Sequence, residues 1–269
     1  MPGYSPSPFG PDVPLAGRPT DAHVVAGRTV VGRPADASAA ASGDHLRVPW
    51  LHVDEHLVAV DKPAGLLAVP GRGAEKADCL SRRVQLQMPD ALVVHRLDQA
   101  TSGLMLFARG LEMQRRLSRA FERRAVHKCY LAVASGRLGR AAGDTGTIDL
   151  PLCADWPNRP LQKIDHDLGK PAVTHWQVLA HGDHPVAPST KDGATTLPST
   201  RLALRPITGR SHQLRVHLAT LGHPLLGDKL YAPAQIQAAA PRLLLHAWQL
   251  ELAHPASGEM IRLQAEAPF

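Results

Sequence analysis

Val94-His95-Arg96-Leu97-Asp98-Gln99-Ala100-Thr101-Ser102-Gly103-Leu104 sets charged and hydroxyl residues between two apolar runs and closes on a glycine. The run Ala91 to Val94 before it reads as a strand, and the alternation Leu104, Leu106, Ala108 after it reads as another. Asp98 therefore falls in a short connection carried by a sheet. Loops held by a rigid scaffold are where binding and catalytic groups concentrate, because they can expose polar side chains without giving up core packing.

Working outward, Met113, Leu117 and Phe121 recur at helical spacing, while Arg115, Arg116, Arg119, Arg123 and Arg124 crowd the other faces of that helix. His127 to Ala134 alternates with period two, which puts Lys128, Tyr130 and Ala132 on one side of a strand and Cys129, Leu131 and Val133 on the other. The second set is expected to face the core and Tyr130 to face away from it. Upstream, Leu57 to Val60, a Lys62-Pro63-Ala64-Gly65 turn and Leu66 to Val69 read as a hairpin. Asp78 is a candidate cap for a helix carrying Leu80, Val84 and Met88.

Residues 151–178 are polar and punctuated by proline, so they read as a long surface loop leading to a strand at Trp176 to Leu179. Residues 181–200 show no period and read as a mobile insertion, and Arg201 to Leu204 resumes a strand. Thr208-Gly209-Arg210-Ser211 is a turn and cap. The helix after it should bury Leu214, Leu218 and Leu221 and stop at Gly222. His212 and Arg215 share its first turn, where free N–H groups and the macrodipole favour anions. Arg242 to Ala247 begins a last pair of strands turned at His254-Pro255-Ala256-Ser257-Gly258.

Of 269 residues, 44% are hydrophobic, enough for a sizeable core, and the net charge of +6 favours a polyanionic partner. Residues 1–46 carry seven prolines among glycine, serine and alanine, with three arginines against four aspartates. They read as a flexible tail, and the basic excess belongs to the folded part, residues 47–269. The three cysteines form no C-x-x-C pair, and no run has the length of a membrane span. A reducing cytoplasm and a monomer are expected. His52-Val53-Asp54-Glu55-His56 lacks the glutamate directly after the first histidine that a zinc-protease helix needs, and Gly71-Arg72-Gly73 lacks the lysine and hydroxyl of a phosphate loop. Neither a metal nor a cofactor is expected.

His95-Arg96-Leu97-Asp98-x-x-Thr101-Ser102-Gly103 resembles the active-site signature of the RluA-type pseudouridine synthases. Further stretches resemble the same family in the same order: Lys128-Cys129-Tyr130-Leu131-Ala132, Cys153 to Pro160, Ile207 to His217, and Gly227-Asp228-Lys229-Leu230-Tyr231. The resemblance implies an α+β pseudouridine synthase fold, a curved, mostly antiparallel sheet with flanking helices and a central RNA cleft. It also implies isomerisation of uridine in structured RNA, and the segments at 153–160 and 207–217 look most like the dual-specificity members that act on large-subunit rRNA and tRNA anticodon stem-loops. By the same resemblance Asp98 is the catalytic carboxylate, Arg96 takes the place vacated by the flipped base, Tyr130 and Leu214 pack on the uracil, and Arg215 pairs with Asp98. His95, Thr101 and His212 are supporting residues. The competing expectation is a non-catalytic RNA-binding protein on the same fold, against which an intact Asp98, Tyr130 and Arg215 argue, since a pure binder gains nothing from placing a carboxylate beside RNA phosphates.

Overall fold

The computed structural model describes residues 48–186 and 195–269; the expected tail at 1–46 lies outside them. Among the described residues, twelve strands and four α-helices follow in chain order, with short 3-10 turns at Ala74–Lys76 and Trp156–Asn158. The strands are β1 (Trp50–Val53), β2 (Leu57–Lys62), β3 (Ala91–Val93), β4 (Ser102–Arg109), β5 (His127–Ser135), β6 (Thr145–Asp149), β7 (Leu152–Ala154), β8 (Gln162–Ile164), β9 (Val173–Val186), β10 (Thr195–Pro206), β11 (Leu245–Ala253) and β12 (Met260–Gln264). The helices are α1 (Leu80–Gln87), α2 (Gly110–Glu122), α3 (Gln213–Thr220) and α4 (Ala234–Ala238).

Ten strands form one sheet in the order β1-β2-β4-β11-β5-β10-β9-β6, with β3 also on β4 and β12 also on β11. All its pairings are antiparallel except β4 with β11, where Ser102 and Gly103 lie opposite His246 and Ala247. That junction explains the glycine closing the opening stretch. Gly103 has φ +109°, and a Cβ there would lie 2.3 Å from the Ala247 carbonyl oxygen, so no side chain fits. The join sets the end of the Asp98 loop directly against the middle of the sheet.

β4 is buried along nearly its whole length, so its alternation does not separate a wet face from a dry one. β5 is likewise covered on both sides: Cys129 and Leu131 pack with Trp248, while Ala132 and Ala134 pack with Leu202 and Leu218. Tyr130 is thus half-buried between two core clusters rather than turned to open surface.

Several local expectations are corrected. Leu66 to Val69 does not return as a strand; β2 pairs instead with β1 and β4. The cause is Lys62, fully buried, whose ammonium donates to the carbonyls of Pro63 (3.0 Å), Leu66 (2.7 Å) and Gln99 (3.1 Å) and draws the following chain into a loop around itself. That loop also replaces the expected Asp78 cap, because the carbonyls of Leu67 and Ala68 accept the first N–H groups of α1, from Leu80 and Ser81, while Asp78 pairs with Arg83. Residues 151–178 are not one loop. β7 and β8 form a small hairpin, with the Arg159 guanidinium stacked 3.3 Å over the Trp156 ring.

Residues 181–186 and 195–200, expected in a mobile insertion, extend the β9–β10 hairpin in unbroken pairing up to Val186 and Thr195. Pro198 is tolerated there because it lies beyond Ser199, the last β10 residue paired with β5, so on that side its missing N–H breaks no ladder bond; its carbonyl accepts from the Gly136 N–H, and Ser199 Oγ donates to the Gly182 carbonyl. Residues 187–194 lie outside the described residues. In α3, Leu214 and Leu218 are buried as expected, but Leu221 caps the helix and is 40% exposed.

Candidate active site

Loop 94–101, the start of β5, the turn at 206–211 and the first turn of α3 enclose a cleft of about 720 Å³. Every site residue expected from the sequence lines it: His95, Arg96, Asp98, Thr101, Tyr130, His212, Leu214 and Arg215. Its charged lining is mostly basic, with Arg96, Arg124, Lys128, Arg210 and Arg215 against Asp98 and Glu122. A phosphodiester chain fits that balance.

The Asp98 carboxylate is 29% exposed and opens into the cleft. Two cationic or donor groups from α3 approach the same oxygen: Arg215 Nη1 at 3.9 Å and His212 Nε2 at 4.0 Å from Oδ2. Arg215 does not direct its fork at Asp98. Its Nε donates to Asp228 Oδ2 at 2.9 Å and its Nη2 to Oδ1 at 2.5 Å, a bidentate pair in which Asp228 is fully buried. Asp228 also accepts the backbone N–H groups of Leu230 and Tyr231. The guanidinium is thereby fixed in place, with one nitrogen left facing Asp98.

Tyr231 completes this wall. Its hydroxyl accepts the N–H of Gln162 at 2.8 Å and lies 2.6 Å from His212 Nδ1, and its ring sits 5.1 Å from the Arg215 guanidinium carbon. Burial lowers the pKa of His212, and Arg215 reinforces that against Asp98 and Asp228. The imidazole is therefore neutral. Nδ1 can accept the phenolic proton of Tyr231, an arrangement that puts the ring's own N–H on Nε2, the nitrogen facing Asp98. His212 is held at φ +55°, an uncommon conformation for a side chain this size, and sits at the N-terminal boundary of α3.

The strand side of the cleft is held by Tyr130 and Lys128. Burial pushes the Tyr130 phenol well above its ordinary pKa, and Asp98 and Cys129 add to that, so the hydroxyl stays protonated. Lys128 donates to the Thr208 carbonyl at 3.1 Å, tying β5 to the 206–211 turn; burial brings its pKa down to about 8, helped by Arg124. The turn itself is stapled by Gln213, whose Oε1 accepts from Thr208 Oγ1 and the Arg210 N–H. Arg96 is exposed at the cleft, and its side chain makes no hydrogen bond or ion pair among the described residues.

His95 braces the loop from inside. Its Nε2 accepts the Leu106 N–H at 2.9 Å, its ring stacks on Phe121 at 4.5 Å, and burial with Lys128 nearby lowers its pKa to about 3. At the other end of the loop, Ser102 Oγ bonds His246 Nδ1 at 2.8 Å and accepts from Arg242, while His246 Nε2 reaches the Ala265 carbonyl. Burial lowers the His246 pKa to about 4. Both histidines bind a proton less readily folded than at the ordinary value of 6.5, so their stabilising contribution is fully present above pH 6.5 and is lost as pH falls toward 4 and 3. Unfolding free energy should drop over that window with a slope of up to about 1.4 kcal/mol per pH unit for each. Denaturant titrations at stepped pH read the slope; His246→Gln should remove one share of it, and an unchanged slope would contradict the neutral buried imidazole.

Sequence reasoning assigned no role to Lys62, Asp228, Tyr231, Ser102, Arg242 or His246. Asp228 had a visible signal, a lone acid directly after Leu225-Leu226-Gly227. Lys62 had a weaker one, a lysine ending an apolar strand. The partners of Ser102 lie more than a hundred residues away, and nothing local marks them.

A family model described as RNA pseudouridylate synthase matches residues 56–220. The chain is 48% identical over 219 residues to the dual-specificity RNA pseudouridine synthase RluA of Yersinia pestis, covering 81% of this chain and 98% of that one. It is 45% identical over 224 residues to the protein of the same name from Escherichia coli K12, covering 82% and 95%. Among solved structures it is similar to human RNA Pseudouridylate Synthase Domain Containing 1, with a TM-score of 0.67 and 26% identity over 86% of this chain and 87% of that one. Human RNA Pseudouridylate Synthase Domain Containing 4 gives a TM-score of 0.60 and 27% identity, covering 82% and 88%. A mostly basic cleft around the Asp98 carboxylate, on a fold shared with these proteins, suits an enzyme rearranging a nucleoside within an RNA chain. The chain belongs to the RNA pseudouridylate synthase family, isomerases that convert uridine in RNA to pseudouridine.

Proposed function

We propose that this enzyme acts on uridines in both large-subunit rRNA and tRNA anticodon stem-loops, working as a monomer in the cytoplasm without a cofactor. The dual-specificity name shared by its relatives supports the two RNA classes. Among the described residues, no helix is long and apolar enough to cross a membrane. The observation that carries the chemistry is Asp98 facing the cleft beside an Arg215 already locked by Asp228.

Isomerisation breaks the N-glycosidic bond, turns the uracil and rejoins it through C5, with no net redox change and no group lost to another molecule. One carboxylate suffices, either attacking the sugar or removing a sugar proton. The fixed Nη1 of Arg215 and the Nε2–H of His212 favour the charged carboxylate at the start and can hold it oriented as the bond to uracil breaks. Tyr130 and Leu214 supply the apolar wall against which the detached base turns. Mapping pseudouridine in total RNA from a strain lacking this protein tests the reading: loss at sites in both RNA classes is expected, and loss in neither would overturn it.

The target base must leave its stack before it can reach Asp98. Arg96, exposed and without a side-chain partner among the described residues, is the group we assign to the vacated place. A planar guanidinium stacks and hydrogen-bonds where an ammonium cannot. Arg96→Lys should keep most of the salt-dependent attraction yet lose turnover on structured stem-loops, and a target already unstacked by a mismatch should recover part of the binding loss. Equal losses on matched and mismatched stem-loops would sink the role.

Catalysis is assigned to residues 47–269. The family model begins at residue 56, downstream of the 1–46 segment. Deleting residues 2–45 should shift the melting temperature by less than about 5 °C and leave turnover intact. A larger shift would mean that the segment packs on the catalytic domain.

A further inference from the structure

Six basic residues against two acidic ones lie between Gly110 and Lys128, so this short stretch carries four of the net six positive charges of the whole chain. Four of its arginines, Arg115, Arg119, Arg123 and Arg124, are exposed, and their side chains make no hydrogen bond or ion pair among the described residues. Exposed arginines elsewhere do find carboxylates, as Arg137 does with Asp183 and Arg262 with Glu251. Of the two acids of α2, Glu112 pairs with Arg116, which also reaches the Pro255 carbonyl, and Glu122 makes no ion pair with the row among the described residues.

Arg115, Arg119 and Arg123 are spaced by four, one helical turn each, so they form a single row with about 6 Å between successive positions. That step is comparable with the distance between neighbouring phosphates of a nucleic-acid strand. The row does not end in open solvent: Phe121, Glu122 and Arg124 at the end of α2 line the cleft that holds Asp98, and Lys128 continues the basic lining on β5. Phe121 also stacks on His95 of the Asp98 loop, so α2 is fixed relative to the site.

We infer that α2 is a phosphate-tracking arm, whose arginine row binds the backbone of the RNA stem adjoining the target loop. The inference rests on the reading of the cleft as the site for a structured RNA and extends its footprint about two helical turns beyond the cleft. The row meets phosphates and carries no sequence information; its role is to set which stem geometry presents its loop to Asp98. An enzyme that accepts two RNA classes gains register this way without base-specific recognition.

The test uses the full chain and two RNA probes, an anticodon stem-loop with a stem of a few base pairs and the same loop on a stem longer by one helical turn. Arg115→Gln/Arg119→Gln/Arg123→Gln changes only exposed side chains, and its melting temperature serves as the check on folding. On the long stem, the slope of log affinity against log salt should fall by about two to three, at about 0.7 to 0.9 for each phosphate no longer neutralised, with affinity down tenfold or more. On the short stem the change should be smaller. Restoring the charge with lysine at the three positions should return most of the slope. Unchanged slopes on the long stem would overturn the arm, and equal losses on both probes would reduce it to general attraction and overturn the stem assignment. Tritium release from the same probes by the unaltered enzyme reports separately on the reading of the cleft, because a failure there leaves the slope comparison intact.

Discussion

Asp98→Asn should abolish detectable pseudouridine formation while RNA affinity stays within about tenfold. The substitution keeps size and removes charge. The loop is held by bonds that do not involve the carboxylate: His95 on Leu106, Lys62 on the Gln99 carbonyl, and Ser102 between His246 and Arg242. The fold should survive, and the basic lining that attracts RNA is untouched. What disappears is the one group in the cleft that can attack the sugar or take a proton from it; the other cleft acid, Glu122, is exposed on α2. Turnover above about one percent of the unaltered enzyme would contradict the assignment.

Asp228→Asn should cost both stability and turnover. It leaves the Arg215 guanidinium, itself 3% exposed, with no buried counter-charge, a situation that costs about 3 to 5 kcal/mol. For a domain of this size the melting temperature should fall by roughly 10 °C. Turnover should fall further than the folded fraction explains, because the freed fork can swing onto Asp98 and occupy the carboxylate that must meet the sugar. Adding Arg215→Met to Asp228→Asn removes the orphaned charge, so stability should return in part while turnover does not. A melting temperature within about 2 °C for the single variant would show that the pair does not hold the site together.

These two residues also mark where the sequence was legible and where it was not. Asp98 announced itself through local pattern, a polar stretch between two strands, and the structure places it in that loop. The arginines of α2 and the buried Leu214 and Leu218 of α3 followed from helical spacing in the same way. Asp228 was visible as a lone acid after an apolar run, but its role was not, because that depends on Arg215 thirteen residues away being buried against it. The hairpin expected at Leu57 to Val69 failed for the same kind of reason: local turn chemistry was sound, but a buried ammonium with three carbonyl partners outweighed strand propensity. At 181–186 and 195–200 the lack of period misled, since paired strands take their regularity from backbone pairing rather than from side-chain alternation. Tyr130 was assigned to the correct face, but that face proved to be half-buried because the cleft cuts into the core.

The most direct test of the account is tritium release from C5-labelled uridine in two substrates, an anticodon stem-loop and a large-subunit rRNA fragment, with the purified full chain and no added metal or cofactor. Release from both, matched by pseudouridine in the product and absent with Asp98→Asn, is the expected result. Binding of both RNAs without release from either would contradict it.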